Sequence, residues 1–243
     1  MDAYTYPGPP PVESVRRAGV LRIGSTGDYR PLSYFDRTTG RYTGFDAALG
    51  EDLARSLGVR PCCVPTSWSA LTHDLLRGRY DIALTGVSVT EERMAVGLMS
   101  DGYLTNGKTI LCRAEYAARF GCLADVDRGG VTVMVNPGGT NEAFAREHLC
   151  ACRIVVCADN ARIPTYIAEG RADLMLTETA EAACYARLIP GLSAPLLDRP
   201  FTDTQLGILM PKGARQLQAY VNDFLRAERE SGRLGELKRQ YLF

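Results

Sequence analysis

The sequence predicts an α/β protein made of two lobes, each a mainly parallel sheet flanked by helices. Strand-like apolar runs alternate with helix-like segments through residues 21–85, and the same alternation starts again at 131 and continues to 187. Such alternation is typical of parallel βαβ units. Two further strand-like runs, at 108–113 and 203–210, separate the repeats and follow the second one. The chain is therefore expected to cross between the lobes twice, with these two strands as the hinge.

Glycine turns delimit the elements of the first repeat. Gly58 follows the helix-like segment 47–57, at the position where a helix C-cap favours glycine, and Thr39 and Gly40 mark the turn of a hairpin. The proline-rich residues 1–14 predict an extended arm. The other predicted elements are a short helix at 14–18, strands at 21–25, 62–65 and 80–85, a hairpin around 36–41, and helices at 47–57 and 67–76.

The second repeat has the same order and is followed by a helical end. Its predicted strands lie at 131–135, 153–157 and 173–176, its helices at 141–149, 160–168 and 178–187, and the helical end covers 214–241 with a break near 231–232. We therefore expect residues 1–110 to form the first part of lobe 1, 111–204 to form lobe 2, and 205–243 to return to lobe 1. Ligands of such folds bind beyond the carboxyl ends of strands, here between the lobes.

Composition and charge exclude several classes of partner. The 243 residues carry 28 basic and 28 acidic side chains, so no net charge points to nucleic acid or an anionic membrane surface. No apolar run approaches the roughly 20 residues needed to cross a bilayer. The first residues lack the basic and apolar regions of a secretory signal. A cytoplasmic location is favoured for the chain as given, and a periplasmic one if a leader was removed. The sequence is compatible with a homo-oligomer.

The cysteines and histidines do not predict a metal site or a nucleophilic triad. Cysteines occur at positions 62, 63, 112, 122, 150, 152, 157 and 184. The stretch His148 to Cys157 lacks the paired spacings of structural zinc sites, so ordinary thiols are expected. Only one other histidine, His73, is present, which argues against a Ser/His/Asp triad. Phosphate-binding and dinucleotide motifs are missing, and no cofactor is predicted.

The most informative stretch, 136–142, reads NPGGTNE between a strand-like run and a helix-like segment. Glycines let backbone amides converge on one point, and a helix start adds unpaired N–H groups and a positive dipole end. The stretch can form an anion cradle for a carboxylate or a phosphate. The alternative is a simple glycine turn in which Thr140 or Asn141 caps the helix.

Motifs along the chain resemble the family 3 solute-binding proteins. They are RIG at 22–24, GFD at 44–46, YDIA at 80–83, SVTEER at 88–93 and GRAD at 170–173. The resemblance covers roughly residues 15–241. It implies a two-lobed clamshell of the type II periplasmic-binding-protein kind, whose members bind amino acids for transport.

A narrower resemblance is to the cyclohexadienyl dehydratases, enzymes built on that scaffold. It rests on TGDYRPLS at 26–33, PTSW at 65–68, DGY at 101–103, GKT at 107–109, NPGGTNEAFA at 136–145 and ADLMLTETAEA at 172–182. The resemblance implies a cofactor-free dehydratase and decarboxylase that converts prephenate to phenylpyruvate, arogenate to phenylalanine, or both. A non-catalytic amino-acid receptor and a dehydratase of a related cyclohexadienyl compound are the alternatives.

The resemblance assigns candidate anion-binding residues for a dicarboxylate substrate. Arg93 offers the planar fork that matches a carboxylate, and Ser88 lies on the turn before it; a surface salt bridge of Arg93 with Glu91 or Glu92 is the alternative. Thr140 and Asn141 begin the helix of the second cradle. Lys108 is a further candidate, against the usual case of a solvated lysine.

Glu181 matches the general acid of the dehydratases. Dehydration needs an acid because hydroxide is a poor leaving group, so Glu181 has to be protonated near neutral pH, well above its reference pKa of about 4.3. Glu178, three residues earlier, is expected on the same helix face. It stands where the related proteins carry Asp, which in binding proteins meets the ligand amino group. The alternative for both is an acidic first helical turn that complements the dipole.

Two aromatic residues complete the predicted site. Trp68, the only tryptophan, is expected to form an apolar wall against the substrate ring or an ordinary part of the core. Tyr29 is a candidate hydroxyl donor. The full prediction is a catalytic Glu181, substrate-binding Arg93, Ser88, Thr140, Asn141, Lys108, Trp68, Tyr29 and Glu178, and no metal.

Overall fold

The computed structural model describes residues 12–243, which form two compact units. Unit 1 contains the described residues up to Gly27, then Pro31–Leu104 and Gln205–Phe243, and unit 2 contains Asp28–Arg30 and Thr105–Thr204. Most of the arm expected at 1–14 lies outside the described residues. Residues 105–110, which we expected in the first lobe, belong to unit 2 because the strand that begins at Lys108 pairs within that unit.

The helices and strands follow in chain order. Up to residue 106 they are α1 (Val12–Ala18), β1 (Val20–Ser25), β2 (Asp28–Tyr29), β3 (Ser33–Asp36), β4 (Arg41–Thr43), α2 (Phe45–Leu57), β5 (Arg60–Pro65), α3 (Leu71–Leu76), β6 (Ile82–Ala83), α4 (Glu91–Val96), β7 (Gly97–Met99) and β8 (Leu104–Asn106). They continue with β9 (Lys108–Arg113), α5 (Leu123–Val126), β10 (Thr132–Val135), α6 (Thr140–His148), β11 (Arg153–Val156), α7 (Ile163–Ala168), β12 (Leu174–Glu178), α8 (Thr179–Leu188), β13 (Leu192–Ser193), β14 (Thr204–Leu206), β15 (Leu209–Pro211), α9 (Arg215–Glu230) and α10 (Arg233–Tyr241). Two short 3₁₀ helices lie at Ala114–Arg119 and Asn160–Arg162.

Unit 1 is built on a five-stranded sheet in the order β5-β1-β6-β15-β7. Strand β1 pairs in parallel with β5 and β6, whereas β15 pairs antiparallel with β6 and β7. Gly24 on β1 lies against the ring of Tyr80, and a Cβ at this position would come within 2.5 Å of the ring. Only glycine therefore lets the buried Tyr80 pack directly on the strand.

Unit 2 is built on a second five-stranded sheet, in the order β11-β10-β12-β9-β13. Its side chains alternate between two buried clusters, as expected for a strand covered on both faces. On β12, Leu174 and Leu176 enter one cluster with Val133 and Val135, while Met175 enters the other with Met134. The sheet is thus a central layer, and the ends of its strands are fixed by packing on both sides.

Both sheets are less parallel than the sequence predicted. In each sheet three strands pair in parallel, and the remaining pairings are antiparallel. In each sheet the antiparallel strands lie on one side of the three parallel strands. They are β9 and β13 in unit 2, and β7 and β15 in unit 1. In unit 2 this arrangement places β9 beside β12, and that pairing builds the site.

Candidate active site

A buried ion pair lies where β12 and β9 meet. The antiparallel register of the two strands sets Glu178, the last residue of β12, opposite Lys108, the first residue of β9. Side chains opposite each other in such a ladder are about 5 Å apart at Cβ. Lys108 Nζ lies 2.7 Å from Glu178 Oε1, and the two side chains are only 6% and 5% exposed. Both charges are therefore removed from water and compensate each other.

The ammonium group of Lys108 also binds the start of helix α6. Its Nζ donates to Thr140 Oγ1 at 2.6 Å and to Asn141 Oδ1 at 2.7 Å. With Glu178 these acceptors match the three protons that an ammonium carries. Asn141 Nδ2 in turn donates to Asn136 Oδ1 at 3.2 Å. The glycine turn 136–142 is thus a helix start held against a buried cation, with Thr140 and Asn141 serving as acceptors of Lys108.

The second oxygen of Glu178 accepts two further hydrogen bonds. The hydroxyl of Tyr29 and the Nδ2 of Asn106, at 2.9 Å, both donate to Glu178 Oε2. The pKa of Tyr29 is raised well above its ordinary value, first because the phenol is buried and then because the charges of Glu178 and Glu181 disfavour a phenolate. Tyr29 therefore stays a hydroxyl donor at neutral pH.

Asn106 is a site residue that the sequence prediction missed. Its Oδ1 accepts from Thr179 Oγ1 at 2.8 Å and from the backbone N–H of Ala180 at 3.1 Å, while its Nδ2 binds Glu178. The side chain thus caps the first turn of α8 and orients Glu178 at the same time. Its position two residues before Lys108 was the only signal in the sequence.

The sequence prediction placed Glu178 in the first turn of a helix, and this was wrong. The pairing with β9 extends β12 to Glu178, whose backbone is extended with φ −119°, and helix α8 begins at Thr179. Glu178 and Glu181 therefore do not share a helix face in the manner expected. They have different hydrogen-bond partners and remain coupled through their charges.

Glu181 lies in a fully buried position in the first turn of α8. Its Oε2 accepts from Thr177 Oγ1 at 2.5 Å and its Oε1 accepts from Asn160 Nδ2 at 3.0 Å. Burial raises the pKa of Glu181 well above its ordinary value, and the charges of Asp28 and Glu178 raise it further, whereas the two hydrogen bonds act in the opposite direction. The ionised form of this carboxyl group is therefore less favourable than that of an exposed glutamate.

Asn160 ties Glu181 to the short segment around Asp28. Its Nδ2 also donates to the backbone carbonyl of Asp28 at 3.0 Å, and its own Oδ1 is buried without a hydrogen-bond partner within the described chain. Neither Asn160 nor Thr177 was predicted as a site residue. The two contacts span 21 and 4 residues of sequence.

The remaining candidates lie in unit 1. Ser88 is buried, and its backbone carbonyl accepts from Nη1 of Arg93 at 2.7 Å. Arg93 is on α4, whose N-cap is Thr90, and the Thr90 hydroxyl accepts from the Arg93 N–H at 3.3 Å. Trp68 lies in the turn after β5 and is half-buried. Within unit 1, Ser88 and Arg93 are in contact, and Trp68 is on a separate segment.

The structure gathers the predicted residues of unit 2 into one network. Tyr29, Lys108, Thr140, Asn141 and Glu178 are joined by hydrogen bonds, and Glu181 lies one turn further along α8. This network holds one buried cation and one paired carboxylate, and Glu181 adds a carboxyl group whose pKa is raised.

Within residues 12–243, no three His, Cys, Asp or Glu side chains are placed to hold a metal ion. All eight cysteines there are free thiols. None of the helices in the described residues is long and apolar enough to cross a membrane.

The fold and motifs place the chain in a known family. The model of the bacterial extracellular solute-binding proteins, family 3, matches residues 21–243. The chain belongs to this family, and the predicted fold class is confirmed.

Its relatives include an enzyme, an ancestral form of that enzyme and an ancestral binding protein. The chain is 41% identical over 232 residues to the cyclohexadienyl dehydratase of Pseudomonas aeruginosa PAO1, covering 95% of this chain and 85% of the relative. It is 47% identical to the crystal structure of an ancestral cyclohexadienyl dehydratase, with a TM-score of 0.59 and 95% of each chain covered. It is 34% identical to the ancestral amino acid-binding protein AncCDT-1, a precursor of cyclohexadienyl dehydratase, with a TM-score of 0.89 and coverage of 96% and 99%. The resemblance to cyclohexadienyl dehydratases predicted from the sequence is confirmed.

Proposed function

We propose that this chain is a cofactor-free dehydratase and decarboxylase that converts prephenate to phenylpyruvate, arogenate to phenylalanine, or both. The observation that carries the proposal is the fully buried Glu181, whose pKa is raised and which follows the lysine-bound Glu178 by three residues. The similarity to cyclohexadienyl dehydratases supports a dehydratase activity.

The proposed reaction needs one proton donor and a site for anions. Glu181 gives its proton to the ring hydroxyl of the substrate, the C–O bond breaks and water leaves. The electrons of the ring carboxylate's C–C bond move into the ring, which becomes aromatic as carbon dioxide departs. Glu181 is left as a carboxylate and regains a proton from solvent. A positioned acid of this kind typically contributes about 10²–10⁴-fold to the rate.

The start of α6 provides the proposed anion site in unit 2. The first N–H groups of a helix have no partner within the helix and carry the positive end of its dipole. Thr140 Oγ1 accepts from Lys108, so its hydroxyl proton remains to be donated to an oxyanion. We propose that one substrate carboxylate binds here, close to the charge of Lys108.

Arg93 and Ser88 are the proposed carboxylate site of unit 1. The hydrogen bond from Arg93 to the Ser88 carbonyl fixes the guanidinium beside the turn 86–88. A guanidinium binds carboxylates through two parallel hydrogen bonds.

The direct test is turnover of prephenate by the purified chain, followed by the absorbance of phenylpyruvate. Glu181→Gln is the matched control, since it keeps the shape and removes the proton. Steady product formation by the parent and its loss in the variant is the expected result. A parent that binds ligands without forming product would instead establish the second candidate.

That second candidate is a non-catalytic amino-acid receptor. The 34% identity to an ancestral amino acid-binding protein favours it. A receptor would bind an amino acid stoichiometrically and release it unchanged, which calorimetry followed by analysis of the recovered ligand would show.

We further propose that the chain acts outside the cytoplasm, because its family is described as extracellular. This favours the periplasmic alternative over the cytoplasmic location preferred from the sequence. Fractionation of the natural host, with the dehydratase activity measured in each fraction, tests the location.

A further inference from the structure

The charges of the unit 2 site disfavour the binding of a substrate ammonium group. Glu178, the carboxylate at the end of β12, already binds the ammonium of Lys108 at 2.7 Å and accepts from Asn106 and Tyr29 through its other oxygen. Glu181 is fully buried, and this burial raises its pKa well above the ordinary value, so its charged form is disfavoured. Of these two carboxyl groups, Glu178 is thus compensated by an ion pair, and Glu181 lies where burial disfavours a negative charge.

The same network favours anions. Lys108 carries a full positive charge with a side chain only 6% exposed, and it lies against the N-terminus of α6 through Thr140 and Asn141. A second ammonium brought to this place would be repelled by Lys108. It would also lose its water without gaining an unpaired carboxylate, which is unfavourable for a buried charge.

We infer that this site selects substrates that carry an oxo acid in place of an amino acid, so that prephenate is preferred over arogenate, because Lys108 occupies the carboxylate that a substrate ammonium would use. The inference rests on the proposed function for the reaction and on the Lys108–Glu178 pair for the selectivity. The carboxylate of Glu178 contacts Lys108, Asn106 and Tyr29 together.

Asp28 is the other carboxylate to consider. It is half-buried, and its charge raises the pKa of Glu181, so it lies close to the acid. If Asp28 held a substrate ammonium, Asp28→Asn would lower activity on arogenate alone. The inference predicts instead that Asp28→Asn leaves the ratio of the two activities within a few-fold of the parent.

Two matched ligand pairs measure the selectivity. Prephenate and arogenate differ only in an oxo or an ammonium group, and their kcat/KM values give the ratio for the reaction. Phenylpyruvate and phenylalanine differ in the same way, and calorimetry gives their ratio of dissociation constants whether or not the chain is an enzyme. In the parent we expect the oxo member to be favoured in both pairs by about tenfold or more, which is the ratio that 1.4 kcal/mol produces.

Three variants test the cause of the selectivity. Lys108→Met frees Glu178 and should shift both ratios by about tenfold or more towards the amine member, by the same conversion. Lys108→Met combined with Glu178→Gln removes both charges, should fold even where the single variant does not, and should bring the ratios close to one. Lys212→Met, a change at an exposed lysine that binds the carbonyl of Ala95, is the control and should leave both ratios unchanged.

The outcomes separate the inference from the proposed function. A parent ratio near one, a preference for the amine, ratios unaffected by loss of Lys108, or no binding of either product would overturn the inference. Absence of any dehydration with the product pair still discriminated would overturn the proposed function and leave the inference standing.

Discussion

Replacing Thr177 by valine removes the shortest hydrogen bond to Glu181 while it keeps the shape of the side chain. Thr177 Oγ1 lies 2.5 Å from Glu181 Oε2, and both side chains are fully buried. Because this bond stabilises the carboxylate, its loss should raise the pKa of Glu181 further. A hydrogen bond to a charged group contributes about 1.5–3 kcal/mol, and one pKa unit corresponds to about 1.4 kcal/mol. The expected rise is therefore about 1–2 units.

The sign of the effect on activity follows from the role proposed for Glu181. The protonated form is the active one, so activity is full below the folded-state pKa and is lost as pH rises through it. Thr177→Val should move this alkaline limb to higher pH by about 1–2 units. The assay is kcat/KM for prephenate as a function of pH, which reports the pKa values of the free enzyme.

Thr109 offers a matched control for this experiment. It is the cross-strand partner of Thr177, is equally buried, and its Oγ1 has no hydrogen-bond partner within the described residues. Thr109→Val should therefore leave the pH profile in place. An alkaline limb that does not move in Thr177→Val, that moves to lower pH, or that moves equally in the control would refute the assignment of Glu181 as the acid.

Further predictions concern the acid, the unit 1 anion site and the packing of the first sheet. Glu181→Gln should keep analogue binding and lose about 10²–10⁴-fold in turnover, as measured by single-turnover kinetics. The same variant should raise the melting temperature more at pH 8 than at pH 4. The folded-state pKa of Glu181 lies above its unfolded-state pKa, so the parent loses stability as the pH rises from the unfolded-state value through the folded-state value, and glutamine avoids this loss. Arg93→Ala should weaken substrate binding by about 2–5 kcal/mol, and Arg93→Lys should restore it only in part because an ammonium lacks the planar fork; unchanged kinetic constants in both would remove Arg93 from the site. Gly24→Ala should cost about 1–3 kcal/mol in urea unfolding, because its Cβ meets the Tyr80 ring, and an unchanged midpoint would contradict this packing.

Periodicity and local motifs were sufficient to predict individual helices and strands from the sequence. Strand β9 was predicted at 108–113, and the structure gives the same bounds. The glycine turn predicted a helix that starts at 141, and the structure begins α6 one residue earlier, at Thr140. These features depend on a few neighbouring residues, which a sequence displays directly.

The contacts that define the site depend on register and could not be obtained in that way. Glu178 was assigned to a helix because its neighbours are helical, yet its pairing with Lys108, 70 residues away, keeps it in the strand. Asn106 and Asn160 reach their carboxylates across 72 and 21 residues. A single asparagine has no sequence pattern that indicates such a role, since only the packed sheet decides which strand ends meet.

The surroundings of two carboxyl groups three residues apart thus have opposite effects on ionisation: they favour the charged form of Glu178 and disfavour that of Glu181. Glu178 meets an ammonium, an amide and a phenol, all of which favour its ionised form. Glu181 is fully buried with two neutral donors, and the charge of Glu178 itself adds to the rise of its pKa. Pairing Lys108 with Glu178 has a double consequence: it keeps one carboxylate negative beside the acid and withdraws that carboxylate from ligands. A change that neutralised Glu178 alone would therefore lower the pKa of Glu181 and release Lys108 together, so acid strength and substrate choice cannot be altered separately at this position.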